Sequence, residues 1–358
     1  MTLPSEIQQK VDAHIAVLRT LQVNSGLFLA SSAEVTTGYD KSWLRDNFYE
    51  CLAFEYVGDW ETVRKCWKAM LTVLVKHEDK IAWAATHKPH QTWQYIHARY
   101  HPETFEEFWE EWGNKQNDAV GAILYKLGDL EEKGHGVIES DAEKRVVQQL
   151  VQYVSTIEYW SDPDSGMWEE NEELHASSVG AVLAGLKKVS KLPYITVPDE
   201  LISKGEQALS ELLPRESRNK FSDLALLSLL YPYDVVHDDV ARHILKDVEY
   251  HLTKSRGVIR YKLDRYYNNN IDGYSEEAEW TMGLSWLAII YAQRGDVQKA
   301  RAYLSQVELT INPEGKLPEL YYSNSGRHNE NTPLGWAESM YVCALYELQL
   351  LEERQNSN

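Results

Sequence analysis

Ser161-Asp-Pro-Asp-Ser-Gly-Met-Trp-Glu-Glu-Asn171 runs directly into an apolar pattern from His175 to Val189, and this junction sets the reading of the whole chain. Its first half is turn chemistry, with Asp, Pro, Ser and Gly clustered. Its second half places Val179, Val182, Leu183 and Leu186 at helical spacing. The adjacent carboxylates Glu169 and Glu170 therefore stand where a loop enters a helix. Neighbouring side chains there diverge by about 100°, so one can face a cavity while the other holds the loop. Trp168 offers an apolar wall that disfavours a charged carboxylate and raises its pKa, as a proton donor needs. An acidic pair at a helix start is also a common way to complement the helix dipole. What separates the two readings is whether other chemically dense junctions converge on this one.

Outward from that junction, apolar residues recur with helical period almost everywhere. Helices are expected at about Ser5 to Gln22 (capped at Ser5), Trp43 to Tyr56, Trp60 to Val75, Asp118 to Leu130, Ala142 to Tyr159, and His175 to Val189. They continue at Asp199 to Leu213, Ser222 to Leu230, Asp238 to Leu252, Glu277 to Arg294, Val297 to Val307, and Leu334 to Glu352. No convincing series of alternating strands interrupts them, so the class is all-α. Even-numbered helices are more apolar and carry small residues, such as Gly121, Gly180, Gly185 and Gly283, whereas odd-numbered ones carry a charged stripe. An inner and an outer ring require this alternation. Gly58-Asp59 and Gly295-Asp296 repeat one turn signature between inner and outer helices. The expected architecture is an (α/α)6 toroid of about twelve helices in six hairpins.

Composition narrows the function. The 358 residues contain only 11 prolines and 19 glycines and no low-complexity linker, so one domain over 1–358 is expected. A net charge of −19 repels phosphate backbones and anionic lipid, making nucleic acid and membrane poor partners. Met1 to Leu21 lacks an apolar signal core, and no stretch approaches a membrane span; a cytoplasmic location is expected. Cys51, Cys66 and Cys343 lie in apolar helical patterns and read as reduced core residues. His87, His90, His97 and His101 lack ligand spacing with carboxylates, so no metal or cofactor is expected. The aromatic content, 12 Trp and 22 Tyr against 6 Phe, favours rings with a polar tip. Such rings suit a groove that stacks on sugar faces, although cores and interfaces use them too.

Position carries the most weight. The dense stretches Tyr39 to Asp46, Trp112 to Asp118, Trp168 to Asn171, Arg260 to Trp280 and Leu317 to Trp336 each fall just before an even-numbered helix. If those helices run the same way, the five loops meet at one mouth. These residues also carry a resemblance. Tyr39-Asp-Lys-Ser-Trp-Leu-Arg-Asp46, Trp112-Gly-Asn-Lys-Gln-Asn-Asp118, Trp168-Glu-Glu170, Arg260-Tyr261 with Asp264, and Leu317-Pro-Glu-Leu-Tyr321 followed by Leu334-Gly-Trp336 occur in family order over nearly the whole chain. Together they resemble glycoside hydrolase family 15, the glucoamylase-like enzymes, and the related N-terminal region of phosphorylase kinase α and β subunits.

The resemblance implies an inverting exo-acting glucosidase that takes α-glucan oligosaccharides, with Glu169 as general acid and Glu319 as general base. It implies that Arg45, Asp46 and Arg260 hold the terminal glucose, that Trp112 and Glu170 line the entry side, and that Tyr39 lies near the reacting sugar. Trp43, Gln116, Asp118, Trp168, Tyr321 and Trp336 complete the expected substrate-binding set. Leu320 and Leu263 stand where the family often has Gln and an acidic residue, which would remove polar contacts near the sugar. Neither the β-sandwich of many prokaryotic members nor a starch-binding module is expected in this length. Two other functions share the frame: inverting hydrolysis of trehalose or an α-1,6-linked dextrin, and a non-hydrolytic glucan-sensing domain. The oligomeric state is open.

Overall fold

The computed structural model describes residues 3–110, 112–268 and 276–356. Six elements that are buried nearly all round form an inner ring. They are α2 (Leu44–Val57), α5 (Asn117–Glu132), α7 (Ala176–Val189), a 3-10 helix at Leu224–Leu229, α10 (Met282–Gln293) and α12 (Gly335–Asn356). Each packs on the next, and α12 returns to α2, so the ring closes. α10 shows the sequence cause: every residue from Met282 to Ala292 is buried, as expected of a helix apolar on all sides. Six amphipathic helices cover the ring: α1 (Ser5–Leu21), α3 (Trp60–Lys76), α6 (Asp141–Thr156), α8 (Asp199–Leu212), α9 (Asp238–His251) and α11 (Val297–Glu308). A short α4 (Glu78–Ala84) packs on α6.

The repeated turn signature works the same way twice. Gly58 and Gly295 close α2 and α10, with φ of +77° and +83°. Asp59 and Asp296 then cap α3 and α11, their carboxylates accepting from the backbone N–H of Thr62 at 3.1 Å and of Lys299 at 3.0 Å. Axial space inside the ring is filled by aromatics, with Tyr49 stacked on Trp336 at 4.2 Å and Trp286 against both.

The structure corrects several boundaries. Pro4, not Ser5, occupies the cap position of α1, and no side chain caps that helix. The eighth element is a 3-10 turn rather than the α-helix expected over Ser222 to Leu230. Asp223 binds the backbone N–H of Ala225 at 2.8 Å, and Pro232 follows too soon for a longer ladder. Glu277 to Thr281 is not helical; Glu279–Trp280 is a two-residue strand, β3, paired antiparallel with β4 (Leu320–Tyr321). A similar pair joins β1 (Ser42–Trp43) to β2 (Arg99–Tyr100). No helix among the described residues is long and apolar enough to cross a membrane, and all three cysteines are buried and unbridged.

Candidate active site

The inner helices begin at one end of the ring, and there the preceding loops enclose a cavity of about 230 Å³. Ten of the residues predicted from sequence line it: Tyr39, Trp43, Arg45, Asp46, Trp112, Trp168, Glu169, Arg260, Glu319 and Trp336. Arg45 and Asp46 lie in the first turn of α2, and Trp336 in the first turn of α12.

Glu169 sits in the turn before α7 with a left-handed φ of +62°, a conformation that costs a non-glycine residue free energy and is held only by its surroundings. Its side chain keeps 22% exposure, and Arg45 Nη2 donates to its Oε1 at 3.1 Å. Burial pushes its carboxyl up to about 7 despite the Arg45 charge. The other guanidinium nitrogen of Arg45 donates to Gln116 Oε1 at 2.8 Å and Asp118 Oδ2 at 3.0 Å. Gln116 and Asp118 thus stand behind Arg45 and orient it; neither lines the cavity, in contrast to the contact role expected of them.

Glu319 is fully buried at the cavity wall. Its Oε1 accepts from the Tyr39 hydroxyl at 2.7 Å, and its Oε2 from Asn331 Nδ2 at 2.8 Å and from Asn329. Burial raises its pKa, and these three donors oppose the rise by stabilising the carboxylate. Asp46 opens on the same cavity, pushed up to about 6 by burial against the pull of Arg45.

Glu170 points elsewhere. It accepts from Arg260 Nη2 at 2.8 Å, the Tyr261 hydroxyl at 2.5 Å and Lys220 Nζ at 3.2 Å, and it does not line the cavity. Arg260 is fixed by Asp264 at 2.6 and 2.7 Å and lies among the faces of Trp168, Tyr266 and Trp280. Trp168 is locked in turn by its indole N–H, which donates to Asp223 Oδ1 at 2.7 Å. Among the described residues, the buried indole N–H groups of Trp280 and Trp336 find no hydrogen-bond acceptor.

Tyr321 is also misplaced by sequence reasoning. Its hydroxyl donates to the Thr310 carbonyl at 2.9 Å, outside the cavity lining. Leu320 is buried in the core and Leu263 is 85% exposed with a φ of +69°; neither lines the cavity, so the expected loss of polar contacts there does not arise. Sequence reasoning missed Arg99, Tyr266, Trp280, Asn329 and Asn331. The last four lie within stretches already marked as dense, whereas Arg99 comes from the segment between the third and fourth expected helices and is placed by β2, where it pairs with Trp43.

A closed double ring of helices with acidic side chains, arginines and indoles lining one cavity defines a glycosidase fold of the (α/α)6 class. The Glycosyl hydrolases family 15 profile matches residues 11–193, half of the chain, and the chain belongs to that family. A probable phosphorylase b kinase regulatory subunit alpha of Caenorhabditis elegans is 30% identical over 294 residues, 67% of this chain and 24% of that protein. This chain spans about a quarter to a third of the length of such relatives. Among solved structures, a glycosidase variant in complex with glucose superposes with a TM-score of 0.80 at 19% identity, covering 98% of this chain and all of that one. The glucoamylase of Saccharomycopsis fibuligera superposes at 0.70 and 14% identity, covering 97% and 95%. At these identities the structural likeness establishes the fold.

Proposed function

We propose that the protein is an inverting, exo-acting glycoside hydrolase that releases β-glucose from the non-reducing ends of soluble α-linked gluco-oligosaccharides. The observation that carries this reading is the unequal environment of two carboxyls on one cavity. Glu169, raised to about 7, holds a proton near neutrality and serves as general acid on the leaving oxygen. Glu319, gripped by three donors, is held in place as the base that activates water. Arg45, Asp46 and Arg260 hold the terminal glucose by charge-assisted hydrogen bonds, and Trp43, Trp112, Trp168 and Trp336 frame it. A cavity of about 230 Å³ suits one sugar ring and thus cleavage from a chain end.

The regulatory subunits among the relatives favour a second reading, a glucan-sensing domain that binds without cleaving. Proton NMR of the first minutes of reaction with maltotetraose decides between them. The hydrolase reading expects β-glucose to appear first, before mutarotation; α-glucose first would overturn the paired roles, and no glucose at all would leave the sensing reading.

A further inference from the structure

The backbone that carries Glu319 is pinned at each of its polar groups from Leu317 onward. The Leu317 carbonyl accepts from the Leu334 N–H at 2.9 Å, the Pro318 carbonyl from the Thr281 hydroxyl at 2.5 Å, and the Glu319 carbonyl from the Thr281 N–H at 3.2 Å. The Glu319 N–H donates to the Asn331 carbonyl at 3.0 Å. The remaining group, the Leu317 N–H, is met by a carboxyl. It donates at 2.7 Å to Oε1 of Glu338, which is fully buried in the first turn of α12. The other oxygen of Glu338, Oε2, is in hydrogen-bond contact with Nδ1 of His14, a buried residue of α1. The His14 ring also stands edge-on to Tyr341 at 4.7 Å, one turn further along α12. A chain of contacts thus runs from the outer layer through α12 to a point two residues before Glu319.

Stability alone is a poor account of the His14–Glu338 pair. Taking an imidazole and a carboxyl out of water costs free energy that their attraction offsets only in part, and two apolar side chains would fill the same space without that cost. What an apolar residue at 338 could not do is accept from the Leu317 N–H, which has no other acceptor among the described residues. Oε1 serves as that acceptor whichever partner holds the proton between Oε2 and Nδ1. The head group of Glu319 is gripped by Tyr39, Asn329 and Asn331, but where its side chain starts is set by the backbone. A reacting group displaced by about 1 Å can lose about 10²-fold in rate, so the anchor of that backbone matters to turnover.

We propose that Glu338, held by His14 of α1, is the positioning residue for Glu319: by accepting from the Leu317 N–H it fixes where the base stands in the cavity wall. Neither residue lines the cavity, so both act through Glu319 and not on the sugar. The inference rests on the hydrolase reading, in which Glu319 activates the water.

The test is kcat and KM on maltotetraose and on α-glucosyl fluoride. Fluoride departs with little help from an acid but still needs an activated water, so the second substrate reads the base side alone. Glu338→Ala is expected to lower kcat about 10- to 100-fold on both substrates while KM moves less than about threefold. Glu338→Gln keeps an amide oxygen for the Leu317 N–H and is expected to recover most of that loss. His14→Leu, remote from the cavity, is expected to reproduce the effect more weakly, by about three- to tenfold in kcat, and gives the same reading where Glu338→Ala yields too little folded protein. A kcat left unchanged, a loss confined to KM, a loss that α-glucosyl fluoride restores, or an equal loss with Glu338→Gln would each overturn the proposal. A wild-type protein that turns over neither substrate would overturn the hydrolase reading and this inference with it, whereas an active wild type with an indifferent Glu338→Ala sinks the inference alone.

Discussion

Glu169 and Glu170 are neighbours in sequence and opposites in environment. Glu169 faces the cavity with one guanidinium contact, whereas Glu170 is saturated by Arg260, Tyr261 and Lys220 on the other side. That such a pair would diverge was legible from the residues, because any loop entering a helix splays adjacent side chains. The resemblance assigned Glu169 the acid role. What no propensity signals is the positive φ that aims Glu169 inward, since a glutamate is not favoured there. Glu169→Gln is expected to lower kcat about 10²–10⁴-fold, with glucose binding still measurable, and Glu170→Gln to cost less because it loosens only the Arg260 network. Equal losses would mean that the acid is misassigned. The acid works only when protonated, so kcat of the wild-type protein is expected to fall as pH rises through about 7, a limb absent from Glu169→Gln.

Among the elements, the α5–α7 pair is the tightest seam of the inner ring. A Cβ built on Gly121 would lie 2.4 Å from the Ala181 carbonyl carbon and the Val182 nitrogen, backbone atoms that cannot move without shifting α7. Gly121→Ala is therefore expected to destabilise by about 1–3 kcal/mol, the cost of overpacking a filled core. Urea unfolding checks it: the midpoint should fall with an unchanged m-value, and an unaltered midpoint would mean that the helices can part freely. The small residues and apolarity of α5, α7 and α10 made the inner ring legible in sequence, but not that α5 and α7 form its closest seam. Two features escaped. Leu224 to Leu229 has the apolarity of a core helix, but the Asp223 side chain and Pro232 confine it to a 3-10 turn. The strands β1 to β4 are two residues long, too short for a period, yet β3–β4 ties the loop of Glu319 to the start of α10, and β1–β2 sets Arg99 against Trp43.

At the scale of the whole molecule, the cost of gathering carboxyls inside a chain of net charge −19 should appear in its stability. Burial raises Asp164, Asp223 and Glu169 to about 7 and Asp46 to about 6, from ordinary values of 3.8 for Asp and 4.5 for Glu. Between those limits the folded protein holds protons that the unfolded chain has released. Stability then falls as pH rises, by about 1.4 kcal/mol per pH unit for each such proton. His175 acts in the same direction: despite burial, Glu216 and Asp164 raise it to about 9, so its contribution is complete below about 6.5 and lost as pH rises through 9. Glu143 acts oppositely, because the hydrogen bonds from Lys68 and from the Ser140 and Glu139 backbone N–H groups, with the Lys68 charge, together outweigh burial and lower it to about 2; its contribution is present above 4.5 and lost on acidification. The expected result is a Tm that declines steadily from about pH 5 to 8. Repulsion among surface charges would add to the slope, but salt screens exposed charges far more than buried ones, so the decline should persist at about 0.5 M salt. Asp223→Asn, which removes one buried acid while keeping an acceptor for the Trp168 indole, should flatten the decline. A slope that vanishes in salt, or one that Asp223→Asn leaves untouched, would show that the buried carboxyls are ionised and that surface repulsion alone sets the pH dependence.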